Sequence, residues 1–168
     1  ESDVLDRLRT ESSLEAVVTA KLCYFTLLMA LPILVFQGAA AALGYATNAF
    51  APSAVFALLL TFGILSALSM AVMIVFRFGS IGRFLNIVAL LAVVGFSGLA
   101  YPVGYFSATR RAIVRLFPTH YLMIITRSAM LKGQNLSLFA DWIVGLLGVG
   151  IAAVLVLKLS VVYYRRSS

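Results

Sequence analysis

Between Leu22 and Phe76 the chain carries no charged side chain. A helix in a soluble core rarely needs more than about 15 such positions, whereas one crossing the hydrocarbon of a bilayer needs roughly 20. Composition agrees: 62% of the 168 residues are hydrophobic and only 11% are charged, far from the balance of a soluble domain. The fold class that follows is all-α, a polytopic helical membrane protein, because backbone in lipid must satisfy its own hydrogen bonds.

The net charge of +7 is therefore not a nucleic-acid signal. Lys and Arg stand singly or in pairs at the ends of apolar runs, where topology and lipid headgroups place them. Aromatic residues do not alternate with them, as they do in single-strand grooves. Cys23 is the one cysteine, which excludes an internal disulfide and a zinc knuckle. Its apolar helix predicts a buried, inert thiol. No cleavable leader is legible in an opening that holds Glu1, Asp3, Asp6, Glu11 and Glu15 beside Arg7 and Arg9. Starting at Glu1 inside an amphipathic pattern, the sequence reads as a fragment.

In residues 1–13, Val4, Leu5 and Leu8 fall at helical spacing among Asp3, Asp6, Arg7 and Arg9, the pattern of a short amphipathic helix on a membrane or a partner. Ser12 and Glu15 form a capping box that starts the next helix. Four spans are predicted, over about 14–45, 53–76, 84–104 and 138–164, with a basic tail at 165–168. Pro32 permits a kink in the first. Small residues at 38–44, at Gly63, Ala67 and Ala71, and at Gly145, Gly148 and Gly150 predict close helix contacts. The last group is not a nucleotide loop, since no strand precedes it. Lys158 snorkels, and Tyr163, Tyr164, Arg165 and Arg166 form an interfacial stop.

Leu99–Gly133 fits neither span nor loop. It holds five of the thirteen basic residues and the one histidine, yet 116–131 is strongly apolar. As a fifth span it would place Arg115 and Arg127 in hydrocarbon, at about 2.5–3.5 kcal/mol each near a helix centre. Pro118 would interrupt it. A re-entrant or interfacial helical hairpin over about 101–133 avoids both problems if protein surrounds its irregular backbone. With four spans, Arg7, Arg9, Lys21, Arg77, Arg83, Lys158, Arg165 and Arg166 share one side, against Arg110, Arg111, Arg115, Arg127 and Lys132 on the other. The first side is then cytoplasmic, C-terminus included.

Two stretches carry a family resemblance. LRTESSLEAVVTAKL (8–22) is similar to a cytoplasmic coupling segment leading into a span. FSGLAYPVGYF (96–106) with FPTHYLMIITRSAMLKG (117–133) resembles a signature represented here by Ser97, Gly98, Pro102, Pro118, Tyr121, Arg127 and Gly133. Together they resemble the C-terminal two-thirds of an ABC-2 type (type V-like) ABC-transporter permease, over nearly the whole chain. The family's proline between the two matched prolines is missing; Ser107-Ala108-Thr109-Arg110-Arg111 stands there instead.

The resemblance implies a half-transporter in a bacterial plasma membrane, paired with a second permease subunit, identical or not. Cytoplasmic ABC ATPase subunits would dock on Leu5, Arg7, Leu8, Arg9, Thr10 and Ser12. The hairpin, through Pro102, Pro118, His120, Tyr121, Arg127 and Gly133, would shape an outer gate. Arg127 would fix the hairpin on an acceptor such as a helix-end carbonyl. His120, with no acid or second histidine beside it in sequence, reads as a satisfied interfacial side chain.

The chain lacks GxxxxGK[ST] and so cannot cradle a nucleotide phosphate. It is predicted to be no enzyme and to hold no cofactor of its own, with ATP and Mg on the partner. Spans nearly free of charge exclude a proton relay and suit hydrophobic or amphipathic cargo for export. A non-ABC transporter or channel subunit and a membrane scaffold are the alternatives.

Overall fold

The computed structural model describes residues 14–44, 51–97, 105, 107–131 and 136–167. Among these, regular structure is entirely helical: α1 (Leu14–Ala42), α2 (Pro52–Val75), α3 (Ser80–Phe96), α4 (Ala108–Val114), α5 (Pro118–Thr126), a π-helical turn (Arg127–Leu131), a 3-10 turn (Leu136–Phe139) and α6 (Ala140–Ser167). Three helices are long and apolar enough to cross a membrane, over Ala16–Ala42, Pro52–Val75 and Ala140–Arg166. The third predicted span, about 84–104, corresponds to a 17-residue apolar helix that begins earlier, at Ser80. It is about 25 Å long against roughly 30 Å of hydrocarbon. Leu5, Arg7, Leu8, Arg9, Thr10, Ser12, Pro102 and Gly133 lie outside the described residues.

Helix α2 is the element on which the others pack: α1, α3, α5, the π turn and α6 all contact it. Pro52 at its first turn costs no hydrogen bond there. Its buried positions Ala57, Leu58, Thr61, Ile64, Ala67, Met70, Ala71 and Ile74 recur every three or four residues, the spacing of one helix face. Against it, α6 offers Leu146, Gly150, Ala153 and Val161.

The pairs that meet fix the directions. Ile64 touches Gly150 and Ile74 clusters with Val161, so α2 and α6 run parallel. Thr26 faces Gly63 and Val18 joins Met70 and Ile74, so α1 runs antiparallel to α2. The end marked by Val18, Ile74 and Val161 therefore also gathers Lys21, Arg77, Arg165 and Arg166.

Two sequence expectations are corrected. Cys23 is exposed rather than buried, because α1 turns Val18, Ala30 and Gln37 inward and Cys23 falls off that face. The small run at the end of α1 makes no tight seam either: Ala39, Ala42 and Gly44 are exposed. Gly63, Ala67, Ala71, Gly145 and Gly150 do sit at helix contacts, whereas a Cβ on Gly148 would meet nothing.

The turn after α2 is a Schellman-type cap. The Phe78 amide donates to the Met73 carbonyl at 2.7 Å, and the Arg77 amide to that of Ile74 at 3.1 Å. Arg77 and Phe78 take φ of 49° and 58°, where glycine is usual. Phe78 is held there by packing on Met70, Ile74 and Val18.

This packing separates inward from lipid-facing leucines on one helix. Leu146→Ala, at 0% exposure, should cost about 2 kcal/mol or more through the cavity it leaves. Leu155→Ala, at 56% exposure, should cost little. Thermal unfolding in detergent compares them, and equal losses would refute the placement of α6.

Candidate functional site

The hairpin is built from α4, α5 and the π turn. Helix α4 closes in a tight turn, the Leu116 amide donating to Ile113 and the Phe117 amide to Val114, both at 3.0 Å. Pro118 forces this stop, since the residue before a proline avoids the helical region; Phe117 is extended at φ −90°, ψ 127°. Pro118 then opens α5. Phe117 stacks on Phe96 at the end of α3, rings 5.6 Å apart and 8° from parallel. That stack ties the α4–α5 corner to the third helix.

Helix α5 lies against α2 and α6. His120, Tyr121 and Trp142 form an edge-to-face triangle with centroids 5.7 Å (His120–Tyr121), 5.9 Å (His120–Trp142) and 6.1 Å (Tyr121–Trp142) apart. Such pairs add about 0.5–1.5 kcal/mol beyond the area they bury. Tyr121 also lies over Gly145: a Cβ there would sit 2.6 Å from the ring. Deeper along the groove, Ile125 joins Ala57, Ile64 and Leu146 in the main core. The start of α5 thus sits at the first turn of α6, and the rest follows the groove between α2 and α6.

Thr126 donates its hydroxyl to the Leu122 carbonyl at 2.7 Å as α5 ends. The π turn follows, an irregularity frequent at functional sites, with Ala129 buried. Arg127 opens this turn and is exposed rather than buried against a carbonyl. The hydroxyls of Thr61 and Thr119 are buried without a hydrogen-bond partner among the described residues.

Of the predicted hairpin residues, the structure brings Pro118, His120 and Tyr121 together at one corner and places Arg127 at the far end of α5. Trp142 was not anticipated, although a single tryptophan in the first turn of a spanning helix is itself the signal of an interfacial anchor. Gly145 was legible as a packing glycine but not as the recess for Tyr121. Among the described residues no group of three or more His, Cys, Asp or Glu could hold a metal ion.

His120 is buried at 8% exposure, outside the spanning helices. Burial pushes its imidazole below the ordinary value of 6.5, and the Arg115 charge pushes the same way. The neutral ring is therefore the folded form at neutral pH. No family model, no curated protein and no solved structure matches the chain.

Two predictions follow from this geometry. Gly145→Ala should destabilise the protein where Gly148→Ala does not, and Tyr121→Ala in the same chain should relieve most of the Gly145→Ala loss. A double-mutant cycle on thermal midpoints reads the coupling, and simple additivity would refute the contact.

For pH, a depressed histidine lets the unfolded chain bind the extra proton first. Stability should then fall as pH drops below about 6.5 and level off below the folded value. His120→Phe should flatten that segment of a stability-against-pH curve, and an unchanged curve would assign the titration elsewhere.

Proposed function

We propose that this chain is the membrane-embedded part of an ABC-2 type exporter permease, which moves a hydrophobic or amphipathic substrate by alternating access powered by separate ATPase subunits. The observation that carries the reading is the seating of α5. A nine-residue helix, too short to cross, enters the groove between two spanning helices at the end where both begin. A re-entrant outer hairpin has this form, and irregular backbone at that depth is tolerated only where protein or a water-filled path surrounds it.

Charge supports the orientation. Lys21, Arg77, Arg165 and Arg166 gather at the other end, which is then cytoplasmic, in a bacterial plasma membrane for a protein of this family. Helix α3 would be a fourth, short crossing, and a second permease subunit would complete the path. ATPases would engage residues 5–12 on the cytoplasmic side and carry ATP and Mg themselves. The outer gate would use Pro118, His120, Tyr121 and Arg127, with Pro102 and Gly133 at its margins.

The test is purification in mild detergent followed by identification of what comes with the chain. A co-purifying P-loop ATPase whose hydrolysis responds to amphipathic compounds is the expected result. Arg127→Ala should then lower cargo-stimulated hydrolysis several-fold at unchanged assembly. If no ATPase accompanies the chain, the ABC reading fails and a scaffold or a non-ABC transporter subunit replaces it.

A further inference from the structure

The α4 corner combines features that neither packing nor topology explains. Of α4 and the turn after it, Val114 alone is fully buried between Ala108 and Leu116, with Phe117 half-buried on Phe96. Ile113 and Leu116 are exposed, Leu116 at 72%, and Arg111 and Arg115 are exposed beside them. Tyr105, just before α4, is 78% exposed. Apolar residues three apart and arginines four apart on one short helix are the pattern of an element lying in a membrane interface.

Its height is fixed by contact. Arg115 lies close enough to His120 to repel its proton, and His120 touches Trp142 in the first turn of α6. The corner therefore stands where a spanning helix leaves the hydrocarbon. Charge there is one-sided. Asp141, exposed at the mouth of α6, is the chain's one acid after Glu15, whereas Arg111 and Arg115 face outward and Arg127 is exposed at the far end of α5. Basic residues on this side also oppose the bias that gathers Lys and Arg at the other end of the bundle. Something anionic at this height would offset that cost.

We propose that the α4 corner is a docking surface for anionic phospholipid headgroups of the leaflet at this end of the bundle. Arg111 and Arg115 engage the phosphates. Ile113 and Leu116 sink into the upper acyl region between them, and Tyr105 lies at the same boundary. Arginine suits the task because its planar fork meets phosphate oxygens bidentately. The surface requires only that α2 and α6 cross the membrane, and it stands whether or not an ATPase drives the protein.

Trp142 is the chain's single tryptophan and lies beside this corner, so it reports on the lipids that reach it. The intact chain is reconstituted in phosphatidylcholine vesicles doped with either phosphatidylglycerol or phosphatidylcholine brominated near the carbonyl end of the acyl chain. Brominated phosphatidylglycerol should quench Trp142 more strongly, with a relative binding constant higher by up to about fivefold per arginine at low salt, equivalent to about 1 kcal/mol each. Raising the salt should shrink that preference in the unmodified chain. R111Q/R115Q should abolish it without changing quenching by the neutral lipid, and R165Q/R166Q, at the opposite end, should leave it intact.

Equal quenching by the two lipids, or a preference that survives both high salt and R111Q/R115Q, would overturn the proposal. So would inorganic phosphate, added to neutral vesicles, competing fully with phosphatidylglycerol, since the site would then serve a free anion. Trp142 inaccessible to either lipid would mean that protein covers the corner, and the proposal would fall.

Discussion

In hydrocarbon two apolar helices gain almost nothing by leaving lipid, so they stay together only where their backbones come close enough for dispersion to accumulate. Helices α2 and α6 meet that condition. Ala57, Ala67 and Ala153 keep the seam thin, Gly150 receives Ile64, and Leu146 is enclosed. The parallel pair leaves a groove at the end where both helices begin. Helix α1 adds to the opposite end through Val18, Met70 and Ile74. Without close approach of α2 to α6, α5 would have no groove and α1 no second helix end to close against.

The hairpin depends on that groove for a different reason. A nine-residue helix makes few internal hydrogen bonds for the ends it must satisfy, so its stability comes from what it touches. Ile125 supplies the apolar contact at one end of α5, and the His120–Tyr121–Trp142 triangle supplies an aromatic one at the other. Because Tyr121 occupies the space of a missing Cβ on Gly145, the contact sets how deep α5 can sit. His120 is held neutral by the same burial, and no carboxylate among the described residues stabilises its charged form.

The sequence made the spanning helices legible because they rest on local properties: an unbroken apolar run, a proline at Pro52 and arginines past the ends. Depth and direction were partly legible too, since charge costs on Arg115 and Arg127 already argued against a fifth crossing. What could not be read were pairings between distant residues. Nothing local separates Gly145, which admits an aromatic ring, from Gly148, which faces open space. Nor does composition tell which face of α1 turns inward, and so the burial of Cys23 was misjudged: every residue on that helix is apolar enough for either side. The His120–Trp142 contact joins two segments whose separation in sequence hides it. Its participants were visible singly, as a lone histidine and a lone tryptophan, but not as a pair.

The turn between α2 and α3 shows how charge and backbone conformation are weighed against each other. A left-handed arginine costs about 1 kcal/mol relative to glycine at the same place. A cation just past a helix C-terminus recovers about 0.3–1 kcal/mol from the partial negative charge of the last carbonyls. The two nearly cancel, so Arg77 is tolerated where glycine would be conformationally easier, and the charge comes at little net expense. Phe78 has no such compensation from charge; its left-handed conformation rests on packing against Met70 and Ile74. The turn therefore joins a charged side chain at the end of the apolar run to an aromatic one pinned on the core. Between them they fix where α2 stops and where Gly82 of α3 can lean on Met73 and Phe76.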